Sequence, residues 1–187
     1  MKRLLSWVSC MFMLVANVAS AEDVDYRLPG AVKPTFQQIH LNIDPDQPGY
    51  SGETVIELNI TEPVTKVGFY QMDIQVTNAE LRQGNRIYPL RITEGDYNIN
   101  WGHSSATVPV GTYELAISFE GKVNTSSDGM YLSSFEGRNY IFTQFEDMHA
   151  RKAFPSFDEP AFKIPYQMTI TTPEKQVVAS NTPVEKR

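Results

Sequence analysis

Apolar and polar residues alternate with a period of two along most of the chain. Residues 39–43 and residues 52–60 place Ile and Leu at alternate positions, and a run rich in Asp, Pro and Gly separates them. Strands with one buried face show this alternation, and the turn residues between the two runs predict a hairpin with a long loop. The clearest strand covers residues 113–120, where the alternation is strict until Gly121 ends it.

The same pattern predicts further short strands. They cover residues 64–70, 74–81, 87–92, 97–101, 106–108, 139–145, 166–171 and 177–179. Helical periodicity is confined to one short helix at residues 147–153, and the Ser-, Gly-, Asn- and Thr-rich residues 123–137 predict a loop over the sheet. Short strands at regular spacing indicate an all-β domain, either an antiparallel β-sandwich or one large sheet. Since no linker or repeat interrupts the chain, we expect one domain.

The first 21 residues differ from the rest. A basic start precedes an almost wholly apolar run at residues 4–18, and residues 19–21 supply the small side chains that a signal peptidase accepts. The run has about 15 residues, fewer than the roughly 20 needed to cross a bilayer. We therefore expect residues 1–21 to be a cleaved signal peptide, with an uncleaved membrane anchor as the alternative. Residues 22–187 are then exported, to the periplasm or the medium, without membrane contact after cleavage.

The charge and the cysteine content of the chain exclude several classes of partner and chemistry. Its 16 basic and 22 acidic residues give a formal net charge of −6, and removing the two basic residues of the leader makes it −8. A nucleic-acid-binding surface needs a basic face to meet phosphate, so nucleic acid is excluded as a partner. The one cysteine, Cys10, lies in the leader, which excludes a disulfide, a cysteine nucleophile and a cysteine-ligated metal from the mature domain.

The chain lacks the motifs of a complete catalytic site. None of its three histidines, His40, His103 and His149, lies four residues from another, so no His-Glu-x-x-His zinc motif is present. We therefore expect neither a zinc ligand nor a catalytic residue here, with a metal site formed by distant histidines as the minor alternative. The alternation around His40 places its side chain on the solvent face of a strand.

The candidate binding site lies where a strand ends. Gln144 and Glu146 are two positions apart near the end of the strand predicted at residues 139–145, and side chains at i and i+2 emerge on one face. A carboxylate beside a carboxamide there could bind an ammonium group through charge-assisted hydrogen bonds. The alternative is that Glu146 pairs with Arg151 or Lys152 one helical turn later, and the residues alone favour this alternative.

Two runs around this site resemble the signature of a known enzyme family. Residues 143–146 read Thr-Gln-Phe-Glu, and residues 150–163 read Ala-Arg-Lys-Ala-Phe-Pro-Ser-Phe-Asp-Glu-Pro-Ala-Phe-Lys. Together they resemble the N-terminal domain of the aminopeptidase N family, which are zinc metallopeptidases of the gluzincin group. The resemblance covers essentially the whole mature chain. It departs from the family pattern at Ser156, where many members carry cysteine.

That resemblance implies a fold and a role. It implies a saddle-shaped β structure that packs on a thermolysin-like catalytic domain and projects a loop into the active site. By the same resemblance, Glu146 binds the α-ammonium of a peptide substrate and Gln144 lines the pocket for its first side chain. Residues 158–160 are implied to be structural and to hold that loop.

The resemblance also indicates what the chain does not carry. In the family the zinc ligands, the general base and the proton-donating tyrosine belong to the catalytic domain, so we expect the chain by itself to be inactive and to bind no zinc. Residues 22–187 stop before the last strands that relatives have, which predicts an incomplete domain. The alternatives are a secreted, non-catalytic β module that binds a partner through residues 123–137, and a truncated fragment without function.

Overall fold

The computed structural model of the protein describes residues 26–185. The predicted signal peptide, residues 1–21, lies outside the described residues, so it stays a prediction. Within the described range, no helix has both the length and the apolar character needed to cross a bilayer. The regular elements there are strands and two 3₁₀ turns, which confirms the all-β class predicted from the alternation.

Ten strands make up most of the regular structure of residues 26–185. They are β1 (Val32–Asn42), β2 (Gly49–Ile60), β3 (Val64–Tyr70), β4 (Ile74–Gln83), β5 (Arg86–Glu94), β6 (Ile99–Val108), β7 (Gly111–Lys122), β8 (Gly129–Phe135), β9 (Arg138–Gln144) and β10 (Tyr166–Thr171). The two 3₁₀ turns cover Asp96–Asn98 and Ala150–Lys152. Branched and aromatic side chains are frequent in the strands because they fit a pleated, half-buried surface.

Eight strands form one sheet in the order β10-β1-β2-β7-β4-β5-β6-β3, and β8 and β9 form a separate hairpin. The predicted antiparallel arrangement is correct for every strand pair of the described chain except β1 with β10. These two pair in parallel, from Gln37 opposite Tyr166 to Asn42 opposite Thr171. A parallel pair cannot be joined by a tight hairpin turn, and here residues 43–165, which include β2 to β9, separate the two strands in sequence.

Two predicted boundaries are wrong in the middle of the chain. Residues 123–137 were predicted as a loop but contain β8. The prediction failed because a hairpin with one solvated face needs few apolar residues, so the polar composition of this stretch did not indicate a strand. Residues 97–101 and 106–108 were predicted as two strands. Residues 99–101 and 106–108 belong to the single strand β6, whereas residues 97 and 98 lie in the 3₁₀ turn before it.

Two further predictions fail near the end of the chain. Residues 147–153, predicted as a short helix, contain one 3₁₀ turn, and the Arg151 carbonyl accepts a hydrogen bond from Met72 N–H instead of continuing a helix. Residues 177–179, predicted as a strand, form none. Val177 is 91% exposed there, so its apolar side chain has no sheet face to pack on.

The larger of two core clusters lies inside the curl of the sheet. Strands near opposite ends of the sheet order, β2 and β3, both contribute to it, so the sheet bends round to close over one core. Its most deeply buried members include Ile56, Leu58, Val67, Phe69, Leu81, Leu115 and Ile117. Burial of apolar surface is the main favourable term in folding, and here it stabilises the curvature itself.

A second cluster lies at the other end of strands β1, β2 and β7, where the hairpin packs on the sheet. Its buried members are Ile39, Leu41, Tyr50, Ile74, Phe119, Met130, Ala153 and Phe154. Two buried polar residues lie between the clusters: the Gln37 amide donates to Thr54 Oγ1 at 2.8 Å, and the Thr54 hydroxyl donates to Gln38 O at 3.0 Å. These groups are satisfied, so the polar layer is compatible with burial.

The replacement Gly52→Ala tests the packing of β2 on β7. Gly52 lies opposite Phe119, and a Cβ added there would lie 2.5 Å from Phe119 Cζ and 2.8 Å from His40 O. A buried ring and a backbone oxygen would both have to shift. We therefore expect G52A to lower the free energy of unfolding by about 1–3 kcal/mol in urea denaturation.

The matched control is Gly30→Ala, since nothing lies within 4 Å of a Cβ added at Gly30. We expect this change to alter the free energy of unfolding by no more than about 0.5 kcal/mol. Equal losses in both variants would show that the contact with Phe119 is not the cause.

Candidate functional site

Residues 150–159, which we call the crossing segment, leave the hairpin and dock on the end of β3. Tyr70 N–H donates to Ser156 O at 2.8 Å, and Ser156 N–H donates back to Tyr70 O at 3.1 Å. Met72 N–H donates to Arg151 O at 2.8 Å. Three backbone hydrogen bonds therefore fix the path of the segment along this edge of the sheet.

The crossing segment is also tied to the first strands of the sheet. The Gln37 amide of β1 donates to Pro155 O at 3.0 Å, and the Tyr50 hydroxyl of β2 donates to Ala153 O at 2.8 Å. Burial raises the pKa of the Tyr50 hydroxyl, so Tyr50 remains a neutral donor. The segment thus connects β1 and β2 with β3, which lie far apart in the sheet order.

An ion pair lies within the crossing segment. Arg151 Nε lies 2.9 Å from Asp158 Oδ2, and Arg151 Nη2 donates to Asp158 O at 2.6 Å. The guanidinium also stacks on Tyr70, with Cζ 4.0 Å from the ring centroid. The side chains of Arg151 and Asp158 are 7% and 14% exposed, so each charge depends on the other for its partner.

Glu159 has an internal role as well. Its Oε1 accepts a hydrogen bond from Leu28 N–H at 2.7 Å and from the Tyr70 hydroxyl at 2.9 Å. Burial, together with the contact to Glu159, raises the pKa of the Tyr70 hydroxyl and keeps it protonated. Asp158 and Glu159 therefore hold the crossing segment on the sheet, in line with the structural role that the family resemblance implies.

Aromatic residues of the crossing segment enter both core clusters. Phe154 packs edge-on against Phe145 in the second cluster, with ring centroids 5.5 Å apart. Phe157 packs edge-on against Phe162 at 5.8 Å and belongs to the larger cluster. Both anchors lie between Arg151 and Asp158 in sequence, so charge and apolar contacts act on the same short stretch.

Gln144 and Glu146 are both exposed, at the open end of the hairpin. Gln144 is the last residue of β9 and pairs with Gly129, while Glu146 lies in the turn that follows. We expected strand geometry to place both side chains on one face. The strand ends at Gln144, two residues before Glu146, so strand geometry does not set the position of Glu146. Instead, Gln144 Oε1 accepts a hydrogen bond from Glu146 N–H at 3.3 Å, which brings the two residues together.

The structure does not support the pairing of Glu146 with Arg151 or Lys152. Arg151 binds Asp158, and Lys152 Nζ lies 2.5 Å from Asp128 Oδ2. Both cations are therefore engaged by other carboxylates of the described chain. The Glu146 side chain is left facing solvent.

An aromatic surface adjoins Gln144 on the outward face of the hairpin. Tyr140 and Phe142 of β9 alternate with Ile141, which packs inward, so they share the face of Gln144. The Phe142 ring lies 5.9 Å from that of Tyr131 and 6.4 Å from that of Tyr140. Tyr140 and Phe142 are 41% and 49% exposed, which makes this a solvent-facing apolar surface.

The three histidines have separate environments. His40 is exposed and its Nε2 lies 2.8 Å from Thr171 Oγ1, which confirms the solvent-facing position predicted for it. His103 contacts Thr93, and His149 lies beside Asp128. No group of three or more His, Cys, Asp or Glu side chains in residues 26–185 is arranged to hold a metal ion. The described part of the chain thus offers no ligand set for a zinc ion.

Several residues that build the site were not identified from the sequence, because no motif or spacing connects them with the crossing segment. Tyr70, Gln37 and Asp128 lie in a strand end, a strand and a loop, far in sequence from the segment that they hold. The seven-residue spacing of Arg151 and Asp158 was visible, but a pairing across a non-helical loop cannot be read from spacing. Their partners are set by the curl of the sheet.

Comparison with known proteins adds independent information. The family described as Peptidase M1 N-terminal domain matches residues 33–187. Aminopeptidase N of Acetobacter pasteurianus is 30% identical over 164 residues, which cover 84% of this chain and 45% of that protein. Aminopeptidase M1-C of Oryza sativa subsp. japonica is 31% identical over 163 residues, which cover 84% of this chain and 18% of that protein.

A mammalian aminopeptidase is also similar to this chain. Glutamyl aminopeptidase of Rattus norvegicus is 28% identical over 181 residues, which cover 90% of this chain and 19% of that protein. The chain thus spans between 18% and 45% of the length of these relatives.

The replacement Arg151→Met tests the ion pair of the crossing segment. It keeps an apolar stem of similar length but leaves the Asp158 carboxylate unpaired beside Tyr70. Breaking one side of a buried pair is costly, so we expect the free energy of unfolding to fall by about 3 kcal/mol in urea denaturation.

The control is Glu80→Gln, which breaks the ion pair between Glu80 and Arg82. The Arg82 side chain is 38% exposed, so this pair is more open to solvent than the pair of Arg151 and Asp158. We expect a change of at most about 1 kcal/mol for E80Q. A loss in R151M no greater than that in E80Q would contradict the role assigned to Arg151.

Proposed function

Since this chain belongs to the Peptidase M1 N-terminal domain family, we propose that it orients peptide substrates in an exported, zinc-dependent aminopeptidase. Glu146 binds the α-ammonium of the substrate, and Gln144 lines the pocket for the first side chain. The observation that carries the proposal is the exposed Glu146 carboxylate beside Gln144, at the end of the hairpin.

The electrostatics of the turn support this role. An exposed carboxylate accepts charge-assisted hydrogen bonds from an ammonium group, and such bonds are worth more than neutral ones. The basic residues that follow in sequence, Arg151 and Lys152, are occupied by Asp158 and Asp128, so they do not neutralise Glu146. A substrate ammonium then has a negative partner at a fixed distance from the strand end.

The hydrolytic chemistry belongs elsewhere in such an enzyme. The M1 family is zinc-dependent, and the family domain accompanies a catalytic domain. Residues 26–185 offer no ligand set for zinc, so no bond-breaking step is assigned to them. Their contribution is to bind and orient the substrate, since holding a reactant in a productive geometry lowers the entropic part of the barrier.

The replacement Glu146→Ala tests the proposed role in the native aminopeptidase that carries these residues. We expect KM for an amino-acid anilide with an unmodified amine to rise about tenfold to a hundredfold, because one charge-assisted hydrogen bond is lost. We also expect the preference over the N-acetylated anilide to fall. Steady-state kinetics with both substrates measures the two quantities.

The matched control is Glu136→Ala, at an exposed glutamate in the turn between β8 and β9. It removes the same side chain from the opposite end of the same hairpin, so KM should stay within about twofold of the original value. An unchanged KM in E146A, with a normal melting curve, would show that Glu146 does not bind the substrate amine.

A second candidate function has one observation in its favour. The aromatic surface at Tyr131, Tyr140 and Phe142 extends toward Phe135, which is 65% exposed. Exposed apolar surfaces commonly mark contacts with other proteins. A secreted binding module would use this face of the hairpin to hold a partner.

The intact mass of the native protein separates the two candidates and also tests export. We expect an antibody against residues 26–185 to detect a species several times heavier than the 21.1 kDa of this chain, with a mature N-terminus near residue 22. A species of about this size would favour the binding module. Retention of residues 1–21 in the mature protein would contradict signal-peptide cleavage.

A further inference from the structure

The turn that carries Glu146 is held at both ends. At its start, β9 ends at Gln144, which is paired with Gly129. At its far end, His149 N–H donates to Phe145 O at 2.9 Å and closes the turn. Between these points, Glu146 N–H donates one hydrogen bond, to Gln144 Oε1. The position of the Glu146 carboxylate therefore depends on how the two ends of the turn are held.

A charged cluster secures the far end of this turn. Lys152 Nζ lies 2.5 Å from Asp128 Oδ2, and His149 Nε2 lies 3.9 Å from the same oxygen. The Lys152 and Asp128 side chains are 20% and 25% exposed, so this ion pair is better shielded than most surface pairs. The cluster links the residues after the turn to the residue before β8.

Asp128 is itself held in place. Ser126 Oγ donates to Asp128 Oδ1 at 3.0 Å, and the Asn124 amide donates to the same oxygen. The hydrogen bond from Lys152, followed by that from Ser126, lowers the pKa of the Asp128 carboxyl and keeps it ionised. Asp128 directly precedes Gly129, the partner of Gln144, so it is attached to the same point of the hairpin.

The approach of the turn to β8 is close. Gly129 has a φ of +64°, and a Cβ added there would lie 2.7 Å from Lys152 Cβ. The Lys152 stem therefore lies against the start of β8, and the Lys152 ammonium group reaches Asp128. Both ends of the turn are therefore fixed to one place, the start of β8.

We propose that Asp128 and Lys152 are positioning residues that fix the turn carrying Glu146, and thereby the place where a substrate amine binds. The proposal rests on the proposed function for its substrate. The rigidity of the turn is a property of the chain itself and is measured without substrate. In this proposal both residues act through Glu146.

Hydrogen exchange in the chain tests the fixation. We expect Asp128→Asn and Lys152→Met each to speed exchange of the His149 amide proton, which is hydrogen-bonded to Phe145 O, about tenfold, since a charge-assisted contact is lost. Lys152→Met keeps the stem that packs on Gly129 and removes the charge. Lys152→Arg keeps the charge and should leave exchange near the original rate.

The matched control is Asp46→Asn, the same chemical change at the other end of the hairpin. Asp46 Oδ1 accepts a hydrogen bond from the Asn139 amide at 3.0 Å, far from the turn in sequence. We expect exchange of the His149 amide proton to be unchanged in this variant. Faster exchange throughout the domain in D128N and K152M alike would indicate general destabilisation and overturn the proposal.

Kinetics of the native aminopeptidase supply a second readout. If Asp128 acts through Glu146, D128N raises KM for unblocked substrates, and adding D128N to E146A raises KM no further. A merely structural role would add its effect to that of E146A. Unchanged exchange in both D128N and K152M overturns the positioning role even if E146A raises KM. An unchanged KM in E146A overturns the proposed function, while the exchange result still decides whether the turn is fixed.

Discussion

The ion pair between Arg151 and Asp158 closes the crossing segment into a loop, and the site depends on this loop together with its backbone hydrogen bonds to the end of β3. A buried guanidinium needs a full set of partners, because an unpaired charge in the interior is expensive. Here it takes the Asp158 carboxylate, the Asp158 carbonyl and the face of the Tyr70 ring. These contacts bend residues 151–158 into one loop and direct Phe154 and Phe157 into different core clusters. The loop closed by Arg151 thus contributes one aromatic side chain to each of the two core clusters.

Buried and exposed charges have different tasks in this domain. Inside the fold, Asp158 binds Arg151, and Glu159 accepts hydrogen bonds from the Tyr70 hydroxyl and Leu28 N–H. Glu146 lies in the same stretch of chain but faces solvent, so its carboxylate is available to a ligand. A rigid support beside an accessible charge is the arrangement that orientation of a substrate requires.

The hairpin connects this support with the binding position. Its inward face, through Met130 and Ile141, packs in the second cluster, and its outward face carries aromatic side chains beside Gln144. Two contacts fix the turn after β9: the packing of the hairpin in the second cluster and the ion pair between Lys152 and Asp128. This is how the domain would orient a substrate in the function that we propose.

The sequence by itself determined most strands of the large sheet, because the alternation in runs such as residues 113–120 reflects which face is buried at each position. It also determined the candidate residues Gln144 and Glu146, through a resemblance carried by residues 143–163. Only the tertiary structure decided that β1 and β10 pair in parallel, that β8 is a strand, and that Lys152 binds Asp128, 24 residues earlier. Periodicity is a local property, whereas the partners of a strand edge or a charge depend on how the sheet curls and which distant segments it brings together.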